Sequence, residues 1–347
     1  PVNGSARQLI AYSGATLTAN NSYRLSDAIR FSMQRNPITS TNLVRHAKVW
    51  AMLRKMYGVV GEHGFYLRQI GGPIIAAFKE TRNFDPCSTI KTLVHDHAMR
   101  AVQDRAQIAG QTVTLSTTIG VPKGMSGKCP FDEPNEAADQ LPMQLDQAME
   151  SMMKRSRNAP TEAIRQFFDP TKVAATATAL GMSETRHDGA TGCHNNSKAM
   201  LVDFGKLFEA CSRTYLDAAH WQLFRQHAID TPLQEVLNIV RSLAAANGLP
   251  ADFAGRYGLK MLSVYKEGNG NDGTIEKNAV VGYVALPFCD EGRIIRRDYV
   301  YGVFLDYTPI GTVTGLSRPL FEVEAAEMLR DEIAASVESF ARGGCTL

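Results

Sequence analysis

The sequence predicts an α/β (α+β) fold: an antiparallel sheet flanked by N- and C-terminal helices, with an inserted all-helical lobe. Three observations predict it. Strand patterns fall into two groups far apart, at 64–80 and at 258–306. Helical periodicities run almost without a break between them, from Met143 to about Phe253. Amphipathic helical patterns also stand before the first strand group and after the last. Distant strand groups can complete one sheet, and a helical insertion then packs as a second lobe.

The elements follow in order. Residues 1–22 are polar and rich in Gly, Ser and Asn, a loosely packed lead-in. Helical spacing covers 24–35 and 41–57; in the second, Leu43, Val44, Ala47, Trp50, Leu53 and Met56 form a stripe. Strands at 64–70 and 73–80 are joined through Gly71-Gly72, a hairpin signal. Asn83-Phe84-Asp85-Pro86 reads as a loop, and Pro86 can stand ahead of a helix but not inside one. The next helix carries Ile90, Leu93, Val94, Ala98, Ala101 and Val102 on one side. Residues 111–141 read as irregular or weakly stranded. Helices are expected at 143–155, 160–168, 170–180, 197–211, 216–226 and 232–247, strands at 258–266, 278–287 and 297–306, and a final helix at 320–341. The expected division is 23–110 plus 256–347 for the sheet lobe and 111–255 for the helical lobe, with a cleft between them.

Composition narrows the class. Hydrophobic content of 44% and charged content of 21% in 347 residues are those of a globular protein. A net charge of +2 gives no reason to expect a nucleic acid or an anionic membrane as partner. No apolar run reaches the roughly 18 residues of a membrane span. The chain begins at Pro1, so the reading is that a leader or tag has been removed. None of the six cysteines forms C-x-x-C, and Cys129 and Cys193, in polar Gly-rich sequence, are the first choice for a bridge. His95-Asp96-His97 has metal-ligand residue types, but helical residues two apart face apart. Neither a metal nor a cofactor is expected.

The chemistry is expected at Cys87-Ser88-Thr89-Ile90-Lys91. On a helix, Ser88 and Lys91 share a face one turn apart. A partly desolvated lysine loses its proton readily and can take that of a serine. The S-x-x-K pattern occurs three times, at Ser88/Lys91, Ser151/Lys154 and Ser263/Lys266. Ser263 and Lys266 lie on a strand pattern, on opposite faces. Ser151 and Lys154 lie inside a continuous helix. Only Ser88 follows a loop and opens a helix, where its N–H is one of the unpaired donors open to an oxyanion. Cys87 beside it reads as packed and inert.

Two further patterns follow in order: Ser156-Arg157-Asn158 at a helix break, and Lys266-Glu267-Gly268, the one K-x-G of the chain, at a strand end. The order S-x-x-K, S-x-N, K-x-G resembles the serine β-lactamase and penicillin-binding-protein superfamily, most closely class A β-lactamases and low-molecular-weight DD-peptidases. The 68 residues from Ser88 to Ser156 and the 110 from Ser156 to Lys266 are near class A spacing. The resemblance covers roughly residues 40–342. It implies Ser88 as nucleophile, Lys91 as general base, Ser156 as proton relay to the leaving group, and Lys266 beside Ser156. It implies substrate contacts from Asn158, Glu267, Gly268 and Asn269, with the N–H groups of Ser88 and Asn269 as oxyanion hole.

Three departures bear on activity. Arg157 stands where the family usually has Asp. Glu267 stands where it has Thr or Ser; facing the cleft, it would repel a substrate carboxylate and favour a neutral or cationic substrate. The loop after Leu180-Gly181-Met182 is well short of the class A loop and has no E-x-x-x-N; Glu184 and Asp188 are its carboxylates, with His187 and His194 as candidates to line the cleft. The resulting expectation is a serine hydrolase or acyltransferase acting on a small-molecule or peptide amide or ester, with poor classical β-lactamase turnover. The alternatives are a true β-lactamase or DD-peptidase with altered motifs, and a non-turnover acyl-binding protein. The expected location is periplasmic or secreted, with the cytoplasm as the alternative.

Overall fold

Alternation of side chains along five strands decides the architecture. The computed structural model describes residues 59–122, 140–187, 197–271, 276–309 and 320–347. The helices expected at 24–35 and 41–57 and the Cys129–Cys193 pairing lie outside them, as do Asp188 and His194. In chain order, β1 (Val59–Gln69) and β2 (Ile74–Phe78) form a hairpin through Gly71, whose φ of 73° suits glycine. A 3₁₀ turn (Cys87–Ile90) leads into α1 (Lys91–Gln103). The region expected to be irregular or weakly stranded, with the residues next to it, holds two small ladders, β3 (Gln107–Ile108) with β4 (Gln111–Thr112) and β5 (Thr118–Pro122) with β6 (Gln140–Gln144). Helices α2 (Leu145–Lys154), α3 (Asn158–Phe168), α4 (Pro170–Ala179), α5 (Leu201–Ala210) and α6 (Ala218–His227) follow. Then come α7 (Gln234–Ala246), α8 (Phe253–Lys260), β7 (Leu262–Asn271), β8 (Glu276–Asp290), β9 (Arg293–Pro309) and α9 (Leu320–Gly343).

The two distant strand groups do complete one sheet. Its order is β2-β1-β9-β8-β7, antiparallel throughout, with β1 paired to β9 along its whole length. Val264, Ala279, Val281, Tyr283, Val300 and Phe304 pack on the face towards α1–α6. The intervening residues Tyr265, Val280, Val284, Tyr299, Tyr301 and Val303 pack on the other face, under α9. Both faces are covered, so these strands lack the polar alternation of a half-exposed sheet.

The expected lobe boundary near 255 needs correction. Helices α7 and α8 lie with α9 on the outer face of the sheet: Val236, Ile239, Val240, Phe253 and Tyr257 share a cluster with Leu329, Ile333 and Phe340. The Tyr257 hydroxyl bonds Ser336 Oγ at 2.7 Å. The inserted lobe therefore ends near α6. The strand expected from 258 also starts later, because Gly258–Lys260 extends α8. A periodic stripe shows that a helix face is buried, not which face of the sheet it meets. A disulfide joins Cys289 to Cys345, tying the end of α9 to β8.

Helix α1 runs through the middle, with Leu93, Val94, His95, Asp96, Ala98 and Met99 all fully buried. The three residues of the His-Asp-His run diverge. His95 Nε2 meets His227 Nδ1 at 3.0 Å, His97 meets Thr176 Oγ1 at 2.7 Å, and Asp96 Oδ1 accepts from the Cys211 thiol at 2.7 Å. Burial pushes the Asp96 carboxyl up to about 7, and the bond from Cys211 and the charge of Arg100 only partly oppose it.

A carboxyl raised in the folded state stabilises most below its unfolded pKa and loses that stabilisation as pH rises through its folded value. Asp96→Asn removes this dependence. Its thermal midpoint should gain on that of the parent between about pH 4 and pH 7, by roughly 1 kcal/mol of stability per pH unit. A constant difference across that range in thermal melts would show that Asp96 is ionised in the fold.

Candidate active site

Three separate segments carry the expected site, and each is held by its own local device. The first is the turn into α1. Asp85 Oδ1 accepts from the Cys87 N–H at 2.9 Å, and Asp85 Oδ2 pairs with Lys277 Nζ of β8 at 3.0 Å. Cys87 is left-handed, with φ 47°, a strained conformation for a residue with a Cβ. This bend starts the 3₁₀ turn and leaves Ser88 half-buried in its first turn, where amides have no partner within the helix. Cys87 itself is a free, buried thiol, pushed up by burial and by Asp85, as expected of an inert packing residue.

The second segment is the break between α2 and α3. Ser156 is also left-handed, with φ 55°. That conformation reverses the chain after α2, where glycine is the common residue. Here the serine is used twice. Its carbonyl accepts from Lys91 Nζ at 2.6 Å, and its hydroxyl lies 3.3 Å from the same nitrogen. Asn158, opening α3, accepts from Lys91 Nζ through Oδ1 at 2.6 Å. Arg157 between them is exposed.

The third segment is β7, the edge strand of the sheet. Lys266 projects inward, with Nζ at 3.0 Å from Ser156 Oγ and 2.8 Å from the Glu267 carbonyl. Gly268 lies directly against the turn: a Cβ there would stand 2.6 Å from the Ser88 nitrogen and 3.0 Å from the Thr89 nitrogen. The Tyr265 N–H donates outward to the Ile229 carbonyl at 3.2 Å. By the two-residue alternation of a strand, the Asn269 N–H leaves the same outer edge, away from β8.

Lys91 and Lys266 are 1% and 2% exposed. Burial, then the charge of Lys266, holds Lys91 well below the usual lysine range. Burial brings Lys266 down to about 8, with Glu267 opposing. Of the two, Lys91 is the amine held further below its ordinary range. Between them stands one hydroxyl, that of Ser156. One hydroxyl between two buried amines is an arrangement through which a proton could be relayed.

Comparison with known proteins bears on this arrangement. A family model described as the β-lactamase enzyme family matches residues 45–231, more than half of the chain. This chain belongs to that family. A comparison with curated proteins finds no match. Among solved structures it is similar to the TLA-1 extended-spectrum β-lactamase, at 13% identity and TM-score 0.59, over 82% of this chain and 97% of that one. It is similar to a β-lactamase from Xanthomonas campestris pv. campestris, at 15% identity and TM-score 0.55, over 88% and 100%. A class A β-lactamase from Mycobacterium abscessus gives 15% identity and TM-score 0.58, over 81% and 98%. At such identities the likeness is one of fold.

Within this β-lactamase-family fold, Ser88, Lys91, Ser156, Asn158, Lys266, Gly268 and the outward N–H of Asn269 are brought to one place. Glu267 is not, and the substrate-binding role expected of its side chain is corrected. Its neighbour Lys266 points inward, so Glu267 takes the outer face, where burial and the Glu322 carboxyl raise its pKa and where it faces Tyr301. The rejected pairs also behave as expected: Lys154 bridges Glu150 at 3.0 Å on the surface, and Ser263 and Lys266 take opposite faces of β7. In the shortened loop Glu184 is exposed, whereas His187 is buried against Ser197. The Asp85–Lys277 clamp was not legible in the sequence, because its halves are separated by 192 positions and neither belongs to a motif.

Gly268→Ala should force β7 away from the Ser88 turn. The expected result is at least a tenfold loss in the rate of covalent labelling at Ser88, with the thermal midpoint little changed. Labelling at the parent rate would mean that the edge strand does not constrain this turn.

Proposed function

We propose that this β-lactamase-family protein is a serine hydrolase or acyltransferase that forms an acyl-enzyme at Ser88 on a small-molecule or peptide amide or ester. The observation that carries the reading is the depressed, buried amine of Lys91, one helical turn from Ser88 and bonded to Ser156 and Asn158. Neutral Lys91 takes the Ser88 hydroxyl proton as Ser88 Oγ bonds to the substrate carbonyl carbon. The oxygen gains negative charge facing the N–H groups of Ser88 and Asn269. As the tetrahedral centre collapses, Ser156 passes a proton to the departing nitrogen or oxygen and recovers one from Lys91. Lys266 keeps the Ser156 hydroxyl in place. Water, or another nucleophile, then takes the acyl group.

Turnover of classical β-lactams is expected to be poor, because the shortened loop places no buried carboxylate at the site from Glu184. A periplasmic or secreted location is supported by the Cys289–Cys345 disulfide, since such bridges persist in oxidising compartments. Among the described residues no helix is long and apolar enough to cross a membrane.

Intact-mass spectrometry after exposure to a panel of β-lactams, esters and a fluorophosphonate tests the reading. The parent should gain one adduct and Ser88→Ala none. Lys91→Ala should slow adduct formation by about 10²–10⁴-fold, the usual cost of losing a general base. Lys154→Ala should leave it unchanged. An adduct on Ser88→Ala, or equal losses for the two lysines, would overturn the assignment.

A further inference from the structure

The acyl-enzyme reading leaves the second half-reaction without a base, and the fold supplies one that the motifs do not name. After α4 the chain is pinned by Asp203, whose Oδ2 accepts from the N–H groups of Glu184 and Thr185, both at 3.2 Å, and from Thr185 Oγ1 at 3.0 Å. Arg186 then exchanges backbone hydrogen bonds with Lys198, and Ala199 exchanges them with Phe84, four residues before Ser88. Three segments thus lie side by side, with rungs of about 4.8 Å. This register sets His187 beside Ser197, and His187 Nδ1 meets Ser197 Oγ at 3.1 Å. The row ends at the segment that carries the nucleophile.

His187 is 8% exposed, and its Nε2 is buried with no hydrogen-bond partner among the described residues. A polar atom left in that state costs free energy that most buried groups avoid. The charges that act on the ring are those of Arg165 on α3 and Lys91 on α1, so the ring stands within electrostatic reach of the Lys91 amine. Other buried bases in this neighbourhood are engaged. Glu162 holds Arg165 at 3.0 and 3.3 Å and Gln166 at 2.6 Å. His97 is occupied by Thr176, whereas His95 bonds His227 through Nε2 and leaves Nδ1 without a partner among the described residues. That ring is packed on Phe224, and the charge acting on it is that of His227, not of Lys91.

We propose that His187, held by Ser197, is the general base of deacylation. In the tautomer with Nδ1–H donating to Ser197 Oγ, Nε2 carries the lone pair. It takes a proton from a water whose oxygen bonds to the acyl carbon. The bond from that carbon to Ser88 Oγ breaks, and the proton taken up by His187 returns to Ser88 by way of Lys91, so that both bases end neutral. The inference rests on the acyl-enzyme reading above. Burial, then Arg165 and Lys91, push the imidazole down to about 4. It is therefore neutral at neutral pH and about as basic as an ordinary carboxylate. Release of the acyl group should be flat through neutral pH and fall as pH drops through about 4.

The test separates the two half-reactions. Parent, His187→Ala, His187→Gln and Ser197→Ala are mixed with a chromogenic cephalosporin and with p-nitrophenyl acetate, and both the burst and the lifetime of the adduct are followed. Acylation should stay within about threefold of the parent in all variants, which also reports an intact fold. The adduct should live about 10²–10⁴ times longer in both His187 variants, and less so in Ser197→Ala, which keeps the ring. Added imidazole should shorten the lifetime in His187→Ala. If His187→Ala does not fold, His187→Gln and the acid limb of release in the parent carry the test. Equal lifetimes in the parent and His187→Gln, or release unchanged down to pH 3, would overturn the proposal. A parent that no probe acylates at Ser88 overturns the acyl-enzyme reading, and this inference with it.

Discussion

Two buried lysine amines converge on one serine hydroxyl, and much of the molecule exists to hold them there. Lys91 Nζ lies 3.3 Å and Lys266 Nζ 3.0 Å from Ser156 Oγ. Two ammonium groups so close and so buried repel strongly, and the Glu267 carboxylate offsets this only in part, at Lys266. The lower-cost state keeps one charge. Lys91 is the more depressed of the pair, and the Ser156 carbonyl and Asn158 Oδ1 accept its two N–H bonds and hold the amine in place. The first turns of helix α1, from Lys91 to Asp96, are buried all round and provide this environment, while Arg100 and Gln103 near its end are half-buried.

Backbone strain marks both ends of that contact. Cys87 and Ser156 are left-handed without being glycine, one beside Ser88 and one bonded to Lys91. Each is over-determined by its surroundings. Asp85 and the edge strand hold the first, and Lys91 and Lys266 hold the second. The side chains at the middle positions of the two altered motifs take no part in these contacts. Arg157 is exposed, and Glu267 takes the outer face of β7. The side chains that leave the site differ from the family pattern, and those that enter it do not.

The sheet unites these devices because both of its faces are buried. Its inner face carries the inserted helices and, through β7, Lys266 and Gly268. Its outer face carries α7, α8 and α9, and the Cys289–Cys345 bridge fastens α9 to β8. The Asp85–Lys277 ion pair ties the Ser88 turn directly to β8, so strand position and nucleophile position are not independent.

The sequence by itself determined most of the element order among the described residues, the five-stranded antiparallel sheet and the motif residues that meet beside its edge strand. Those features are local: helical and strand periods, a proline before a helix, a serine and lysine one turn apart, and three short motifs in a fixed order. Burial and partner choice were decided by the tertiary structure. Nothing local shows that α7 and α8 cover the outer face, since their stripes would suit either lobe. Glu267 entered the substrate-binding group because motifs record positions and not the side of a strand, which depends on the pairing of β7 with β8. Asp85 with Lys277 and His187 with Ser197 became neighbours only through strand register. Such contacts are made where the chain returns to itself, and hydrogen bonding and burial select them after the local pattern has already formed.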